Sequence, residues 1–594
     1  MESTTRPARP RDARSRRWSR RRRWGAATLV TGLGFTAAAA LVPESASADP
    51  VGPTFATANN ASDPFAFRCA DSTGAEIYCM VTSQDLNQPP IGKGTGAENY
   101  YPMSSTLGFT STDGVKWAQQ IGPTLQESSI GRTGVQHLWA PTVQRIQHTV
   151  KGPANEYYLY TPDLTDSNDK YSSKIYVTYS TKPTSGYGAT NLPGTSTKFA
   201  KLNGVGYMSD PEVFVDSSTP TTNPTPEYLL WADGDYASCG GMSLRAMTSQ
   251  TTVQSFSDPS EAWLPIGGPI QDELGSCTKR SVGGGGGGVD TVVPRPYLEG
   301  GSIFRTANWQ SSKTHSLPGP YIMVFAAKPG DRDGDGVEDV PAQCQQPGQP
   351  NSANEVIAYA TAPSATGPYT YQGIIMCGSD SEWTNQATIE EVNQGGAWRL
   401  VLVYHDGVVS NQDTRNRKLH SDCLLTDGHG KFLLTSRSPE GAASTAGAAQ
   451  WCLQANAPST IYALQSVSTG QYVTSRGDSG LVANGSYIGL WEQYRWIFPD
   501  KLNVTYVLAR NPGNLWVQVQ RNAGGEPVIA RGASSGSWEG MQVENVDNNG
   551  TVRIHDTQSP PHYWRADSAG NVTADTTNPS PSDPSYQFRR SALW

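Results

Sequence analysis

Met208-Ser-Asp-Pro-Glu-Val-Phe-Val-Asp216 reads as a β-strand that opens on an acid, because the side chains alternate between two faces directly after Asp210. The same texture recurs on both sides of it. Glu156-Tyr-Tyr-Leu-Tyr160, Lys174-Ile-Tyr-Val-Thr-Tyr179, Tyr321-Ile-Met-Val-Phe325 and Trp398-Arg-Leu-Val-Leu-Val-Tyr404 are strand-like runs separated by Gly, Pro, Asn and Asp turns. Ser111-Thr-Asp-Gly-Val-Lys-Trp117 is a hairpin turn that anchors an outer strand with its Trp. With 61 Gly, 42 Pro, 16% charged and 36% hydrophobic residues, the chain is built from many short strands, which excludes long helical bundles and coiled coils. Its 594 residues are enough for at least two cores. Residues 49–455 then divide into four-stranded blades of a propeller or into a large sandwich.

The net charge of −8 hides an asymmetry. Ten of the 45 Lys+Arg and three of the 53 Asp+Glu fall in residues 1–48, leaving 35 bases against 50 acids, a net −15. A body that acidic repels phosphate backbones, so nucleic acid is excluded as a partner. The Arg-rich start, the Gly/Ala-rich run Gly25–Val42 and Ala46-Ser-Ala48 predict an export signal over residues 1–48, with Arg20–Arg23 permitting the twin-arginine route. A secreted chain, free of the membrane after signal removal and monomeric, is the expectation. Eight cysteines without a Cys-x-x-Cys favour disulfides in that setting. Sequential pairing predicts 69 with 79, 239 with 277, 344 with 377 and 423 with 452.

Gly441–Ala457 is poor in charge and rich in small residues, a boundary between domains. Residues 456–594 repeat internally. Leu481-Val-Ala-Asn, Val528-Ile-Ala-Arg and Val572-Thr-Ala-Asp are spaced by 47 and 44 residues, and Trp491-Glu492 recurs as Trp538-Glu539. Tyr462-Ala-Leu-Gln aligns with Tyr506-Val-Leu-Ala, while Gln471-Tyr-Val473 aligns with Leu515-Trp-Val517 and more loosely with Tyr563-Trp-Arg565. Three units, each too small to bury a core alone, imply a threefold-symmetric barrel. The tail resembles the fascin-like and ricin-like β-trefoil modules. It lacks the Gln-x-Trp signature of ricin-type sugar sites, so sugar binding and a packing role both stay open.

Breaking a glycosidic bond needs a proton donor at the leaving oxygen and a carboxylate on the opposite face. Asp-Pro occurs at Asp49, Asp63, Asp210, Asp258 and Asp583, so the dipeptide alone decides nothing. Asp49 lies at the signal junction, Asp258 in a Ser/Pro turn and Asp583 in the repeat region. Asp63 (Ala61-Ser-Asp-Pro-Phe65) and Asp210 stand out because Leu138-Trp-Ala-Pro-Thr142 lies between them. Arg295-Pro-Tyr-Leu-Glu-Gly-Gly-Ser-Ile-Phe304 and Leu402-Val-Tyr-His-Asp406 follow. Taken in order over residues 63–406, these pieces resemble glycoside hydrolase family 43.

The resemblance implies an all-β fold, a five-bladed β-propeller followed by the β-trefoil, whose acids project into a funnel and hydrolyse with inversion. It implies Asp63 as general base, Glu299 as general acid, Asp210 as the residue that orients the acid and tunes its pKa, and His405 as the axial histidine near a bound ion or water. Burial and an ionised Asp210 would keep Glu299 protonated while Asp63 stays charged. An inverting pair stands roughly 6.5–9.5 Å apart. Phe65, His137, Trp139 and His405 are the candidate substrate contacts.

The sequence departs from the pattern at Glu299-Gly-Gly, and six glycines, Gly283–Gly288, precede it as a loop near the mouth of the site. Asp331-Arg-Asp-Gly-Asp-Gly-Val-Glu-Asp339 places Asp331, Asp333, Asp335 and Asp339 like the first half of a calcium loop, although its twelfth position is Ala342. A structural calcium and no cofactor for chemistry are the expectations. The implied activity is a secreted glycosidase acting on arabinofuranosyl or xylosyl linkages of plant or microbial polysaccharide, α-L-arabinofuranosidase-type first. A galactanase or fructosidase of the same propeller clan, and a non-catalytic carbohydrate-binding protein, are the alternatives.

Overall fold

The computed structural model describes residues 54–56, 60–85, 103, 105–114, 116–130, 138–147, 155–164, 172–204, 206–216, 226–234, 238–279, 291–313, 316–345, 352–378, 385–394, 397–406, 417–427, 430–435, 459–497, 504–510, 515–521, 525–532, 538–547 and 549–593. The expected export signal at 1–48, the glycine run at 283–288 and the expected boundary at 441–457 lie outside them.

Five blade sheets, antiparallel in their main strands, follow one another between residues 61 and 424, with a separate two-stranded sheet of Cys277–Lys279 and Thr291–Val293. The innermost strands are Ala61–Ala70 in blade 1, Thr142–Gln147 in blade 2, Ser209–Val215 in blade 3, Tyr297–Arg305 in blade 4 and Ala387–Gln394 in blade 5. The inner strand of blade 3 packs against those of blades 2 and 4, and the inner strand of blade 1 packs against those of blades 2 and 5. The strand Tyr321–Lys328 of blade 4 packs against the inner strand of blade 5, so the ring closes into a five-bladed propeller, and the sandwich alternative is discarded.

Apolar side chains fill the seams between blades. Leu230, Met242, Ile303, Met323 and Phe325 join blades 3 and 4, while Met80, Phe109, Val392, Val401 and Val403 join blades 1 and 5. The turn after Ser105–Ser111 forms as expected: Ser111 Oγ receives the Gly114 N–H at 2.9 Å, and Trp117, buried, donates its indole N–H to Gly114 at 3.0 Å. Three predicted disulfides are present, Cys69–Cys79, Cys239–Cys277 and Cys344–Cys377. The fourth expected pair, 423 with 452, falls outside the described side chains.

Strands Ser459–Ser466, Tyr494–Ile497, Thr505–Ala509, Gly540–Asn545, Thr551–Asp556 and Phe588–Leu593 hydrogen-bond in a closed ring. Three hairpins, starting at Tyr472, Leu515 and Tyr563, complete four strands per repeat, which is the β-trefoil arrangement. The Leu481, Val528 and Val572 alignment coincides with the second strand of each hairpin. The looser third alignment is off by one residue. Each hairpin carries its register shift after Tyr472, Trp516 and Tyr563, so Trp564 occupies the core position of Val473 and Val517.

The barrel docks on the propeller through Leu425 and Leu433 against Ile461, Leu508 and Leu593. Beside this apolar seam, Arg510 lies 3.9 Å from Asp422, which also accepts the Tyr404 hydroxyl at 2.8 Å.

Candidate active site

The inner strands of blades 1, 3 and 4 each carry a bulge at an acid, between Ser62 and Phe65, Ser209 and Glu212, and Glu299 and Ser302. A bulge breaks the pairing ladder and bends the strand, which re-aims a side chain out of strict alternation. Asp63 and Asp210 take the left-handed conformation there, with φ of 51° and 47°. Asp tolerates that region better than most residues, and the following proline has no N–H to lose from the interrupted ladder. In blade 4 the positive φ falls on Gly300, at 57°. A Cβ at Gly300 would also stand 3.0 Å from the Gln386 side chain, so glycine suits both the backbone and the space.

Asp63 sits in a dense polar cluster. Arg417 Nη1 lies 3.2 Å from Asp63 Oδ1, while Arg417 Nε and Nη2 grip the two oxygens of Asp85 at 3.1 and 2.8 Å. A forked guanidinium held this way is fixed in orientation. Ser62 Oγ donates to Asp85 at 3.0 Å. His405, fully buried, accepts the Asp63 backbone N–H on Nδ1 at 3.0 Å, which assigns that nitrogen as unprotonated. His405 thus supports the bulge of Asp63 from within the protein.

Asp210 accepts the Ser209 hydroxyl at 3.0 Å and a hydrogen bond from the Gly300 backbone. Burial, then the charge of Glu299, then that of Asp63 hold its carboxyl well above the usual range. Glu299 is half-buried, where Asp63 and Asp210 are only 6% and 8% exposed, so it is the acid with the most open approach. The Tyr297 hydroxyl donates to Glu299 Oε2, and Glu355 hydrogen-bonds to the same carboxyl. Burial raises the Glu299 carboxyl above its ordinary value, the Tyr297 and Glu355 hydrogen bonds oppose the rise, and the Asp63 charge adds to it. The sequence reading made Asp210 the ionised neighbour of a protonated Glu299. In the structure both are pushed toward the protonated form, because both are desolvated.

The three acids and His405 are therefore brought together. Phe65 is not presented alone: it stacks on Phe67 with ring centroids 6.1 Å apart and packs against the seam of blades 1 and 2. Trp139 is half-buried just before the inner strand of blade 2, its carbonyl accepting the Thr161 hydroxyl at 3.0 Å. His137 lies outside the described residues. Among the proposed calcium ligands, Asp331, Asp333 and Asp335 have oxygens within 4.8 Å of one another. Asp339 is not in that group; its carboxylate takes the Arg332 backbone N–H at 2.7 Å and lies 3.7 Å from the Arg332 guanidinium.

Sequence reasoning missed Arg417, Asp85, Tyr297 and Glu355. Arg417 reaches Asp63 across 354 residues and Asp85 across 332, so no local spacing could have disclosed them. Tyr297 is two residues before Glu299, on the same face of the strand, and that spacing was a usable signal.

No family model matches the chain, and no curated protein matches it. Among solved structures, it is similar to the GH43_1 enzyme from Xanthomonas citri complexed with xylose, at 17% identity and TM-score 0.40, covering 65% of this chain and 94% of that one. It is also similar to the endo-arabinase from Bacteroides thetaiotaomicron, at 14% identity and TM-score 0.34, covering 62% and 96%. The designed threefold-symmetric protein ThreeFoil aligns over 22% of this chain and 97% of its own, at 15% identity and TM-score 0.20. These likenesses are weak in identity and in superposition.

Proposed function

We propose that the chain is a secreted glycoside hydrolase that inverts the anomeric centre. The observation that carries this reading is the convergence of Asp63, Asp210 and Glu299 from strand bulges on three different blades, close enough that Asp210 is shifted by both of the others. Glu299, raised toward its protonated form, gives its proton to the glycosidic oxygen as the bond to the sugar carbon breaks. Asp63, paired with Arg417, takes a proton from the water that attacks the opposite face. Asp210 orients Glu299. Proton transfer by such groups contributes on the order of 10²- to 10⁴-fold each.

The order of motifs from Asp63 to His405 supports arabinofuranosyl or xylosyl linkages of a polysaccharide as the substrate class. The three disulfides and the Arg-rich start support export. A panel of chromogenic arabinofuranosides, xylosides, galactosides and fructosides tests the reading, with Glu299→Gln as the inactive control and the anomer of the first product read by NMR. Inverted product from one pentoside is the expected result. Retention of the protein on polysaccharide with no cleavage of any substrate would replace the hydrolase with a binding protein.

A further inference from the structure

Glu355 is fully buried at the start of the strand Val356–Ala362 in blade 4, two strands out from Glu299. The register explains how it reaches inward. Tyr297 lies opposite Lys328, and Ala327 lies opposite Val356, so Tyr297, Lys328 and Glu355 fall in one cross-strand row. One carboxylate oxygen of Glu355 is satisfied: Oε2 accepts the Asn385 backbone N–H at 2.7 Å. The other, Oε1, is sealed from water and meets no N–H or O–H donor among the described residues. The side chain of Glu355 hydrogen-bonds to the carboxyl of Glu299, and with Oε2 taken by Asn385 the free position is Oε1. Two carboxyl groups in contact cannot both be ionised without a large cost, and a buried acceptor without a donor is itself unfavourable.

We propose that Glu355 carries a proton on Oε1 and donates it to Glu299, as a positioning residue that holds the acid carboxyl and stabilises the carboxylate left behind when Glu299 gives its own proton away. The proposal rests on the reading of Glu299 as general acid. During the step, the Glu299 proton passes to the leaving oxygen while the Glu355 proton stays on Glu355, and the new Glu299 anion accepts O–H from Tyr297 and Glu355 together. The surrounding charges agree with this placement. Glu299 faces Asp63, Arg417 and Asp210 as well as Tyr297, while Glu355 faces Lys328, whose ammonium is shared with Glu338 at 2.9 Å. Burial and the Glu299 charge push Glu355 well above the usual carboxylate range, more than the Lys328 charge and the Asn385 N–H can offset.

The test compares Glu355→Met, which removes the donor, with Glu355→Gln, whose amide restores one without titrating. A donor to the ionised form lowers the pKa of the group it serves. Loss of it in Glu355→Met moves the alkaline limb of kcat/KM to higher pH, and Glu355→Gln returns the limb close to wild type. The weakened acid costs on the order of 10- to 100-fold on aryl glycosides with poor leaving groups. It costs little on a dinitrophenyl glycoside, which leaves without a proton. A limb that moves to lower pH would show Glu355 ionised instead, and an equal loss on every leaving group would reduce it to a packing role; either overturns the proposal. Infrared difference spectra at neutral pH decide the proton without any turnover. In the wild-type minus Glu355→Gln difference, a lost protonated-carboxyl band, over and above those that Glu299 and Asp210 give in both proteins, supports the proposal; a lost carboxylate band in its place sinks it, even for a protein that cleaves none of the glycosides tested.

Discussion

Asp63 and Asp210 on the inner blade edges, and Asp258 and Asp583 in the outer turns, all precede a proline, yet the chain uses the two pairs differently. Asp258 and Asp583 have φ of −125° and −73°, the ordinary extended region, and cap short 3₁₀ turns by accepting the N–H two residues on, at 2.8 and 2.9 Å. Such a cap stabilises by about 1 kcal/mol. Asp63 and Asp210 sit in the left-handed region, where a residue costs on the order of 1–3 kcal/mol. Their carboxyls serve the site instead of a turn: that of Asp63 meets Arg417, and that of Asp210 lies beside Glu299 and takes the Gly300 N–H. The dipeptide is the same; what differs is whether its conformation relieves the backbone or strains it, and strain retained on two blades around one axis marks the places where the acid side chain is needed.

The largest effect that could break this comparison is on turnover. Glu299→Gln and Asp63→Asn are expected to lower kcat by about 10²- to 10⁴-fold each on a glycoside with a poor leaving group. Glu299→Gln should leave the melting temperature near wild type, since the carboxyl it replaces is already pushed toward its neutral form, while Asp63→Asn should lower it, since it takes a partner from the buried Arg417 guanidinium. Steady-state kinetics beside thermal melts checks both. Either variant retaining kcat within threefold would reduce its bulge to architecture and place Asp63 with Asp258.

How much of this was legible follows from range. The strand over 208–216, the Ser111–Trp117 turn and the three disulfides between successive cysteines are written locally, and the structure has them, although the strand is buried on both faces and does not alternate between core and solvent. Three acids were readable because each lies in a short distinctive string. Arg417, Asp85 and Glu355 have no such strings; their meaning arises only when blade 5 closes against blade 1, or when a row crosses three strands of blade 4. The one-residue slip in the third trefoil repeat has a different cause. Tyr563 and Trp564 are both aromatic, so side-chain type could not say which of them points inward, and the bulge in the hairpin decides it.

Glu390 sharpens the comparison, as an acid raised like Glu299 but set in packing. It is buried on the inner strand of blade 5, 3.8 Å from Arg68, and its carboxyl is pushed up to about 7 by burial, against the pull of Arg68 and with the push of Glu391. A carboxyl raised on folding is protonated at little cost in both states below its unfolded pKa, near 4.5. Its contribution to stability is full there and is lost as pH rises through about 7. The loss amounts to at most ~3 kcal/mol for this group. Wild type should therefore lose more stability than Glu390→Gln between pH 5 and pH 8, as read by denaturant unfolding at each pH. Activity should be nearly unchanged in the variant, in contrast to Glu299→Gln. An identical pH slope in the two proteins would remove Glu390 from this class.

The smallest expected effect sits at the outer turn. Asp258 accepts the Ser260 N–H and hydroxyl, both at 2.8 Å, while Glu261 returns the favour by accepting the Asp258 N–H at 3.1 Å, a reciprocal cap on an exposed turn. Its carboxyl is held below the ordinary range by the Ser260 N–H first, so the cap is present above that range and fades as pH falls through it. Asp258→Ala should lower the melting temperature slightly at pH 7. The deficit should shrink in acid, and kcat should not change at any pH. A loss of turnover in Asp258→Ala would mean that the outer turns and the inner bulges are not separable, and that conformation at an Asp-Pro does not by itself sort function from scaffold.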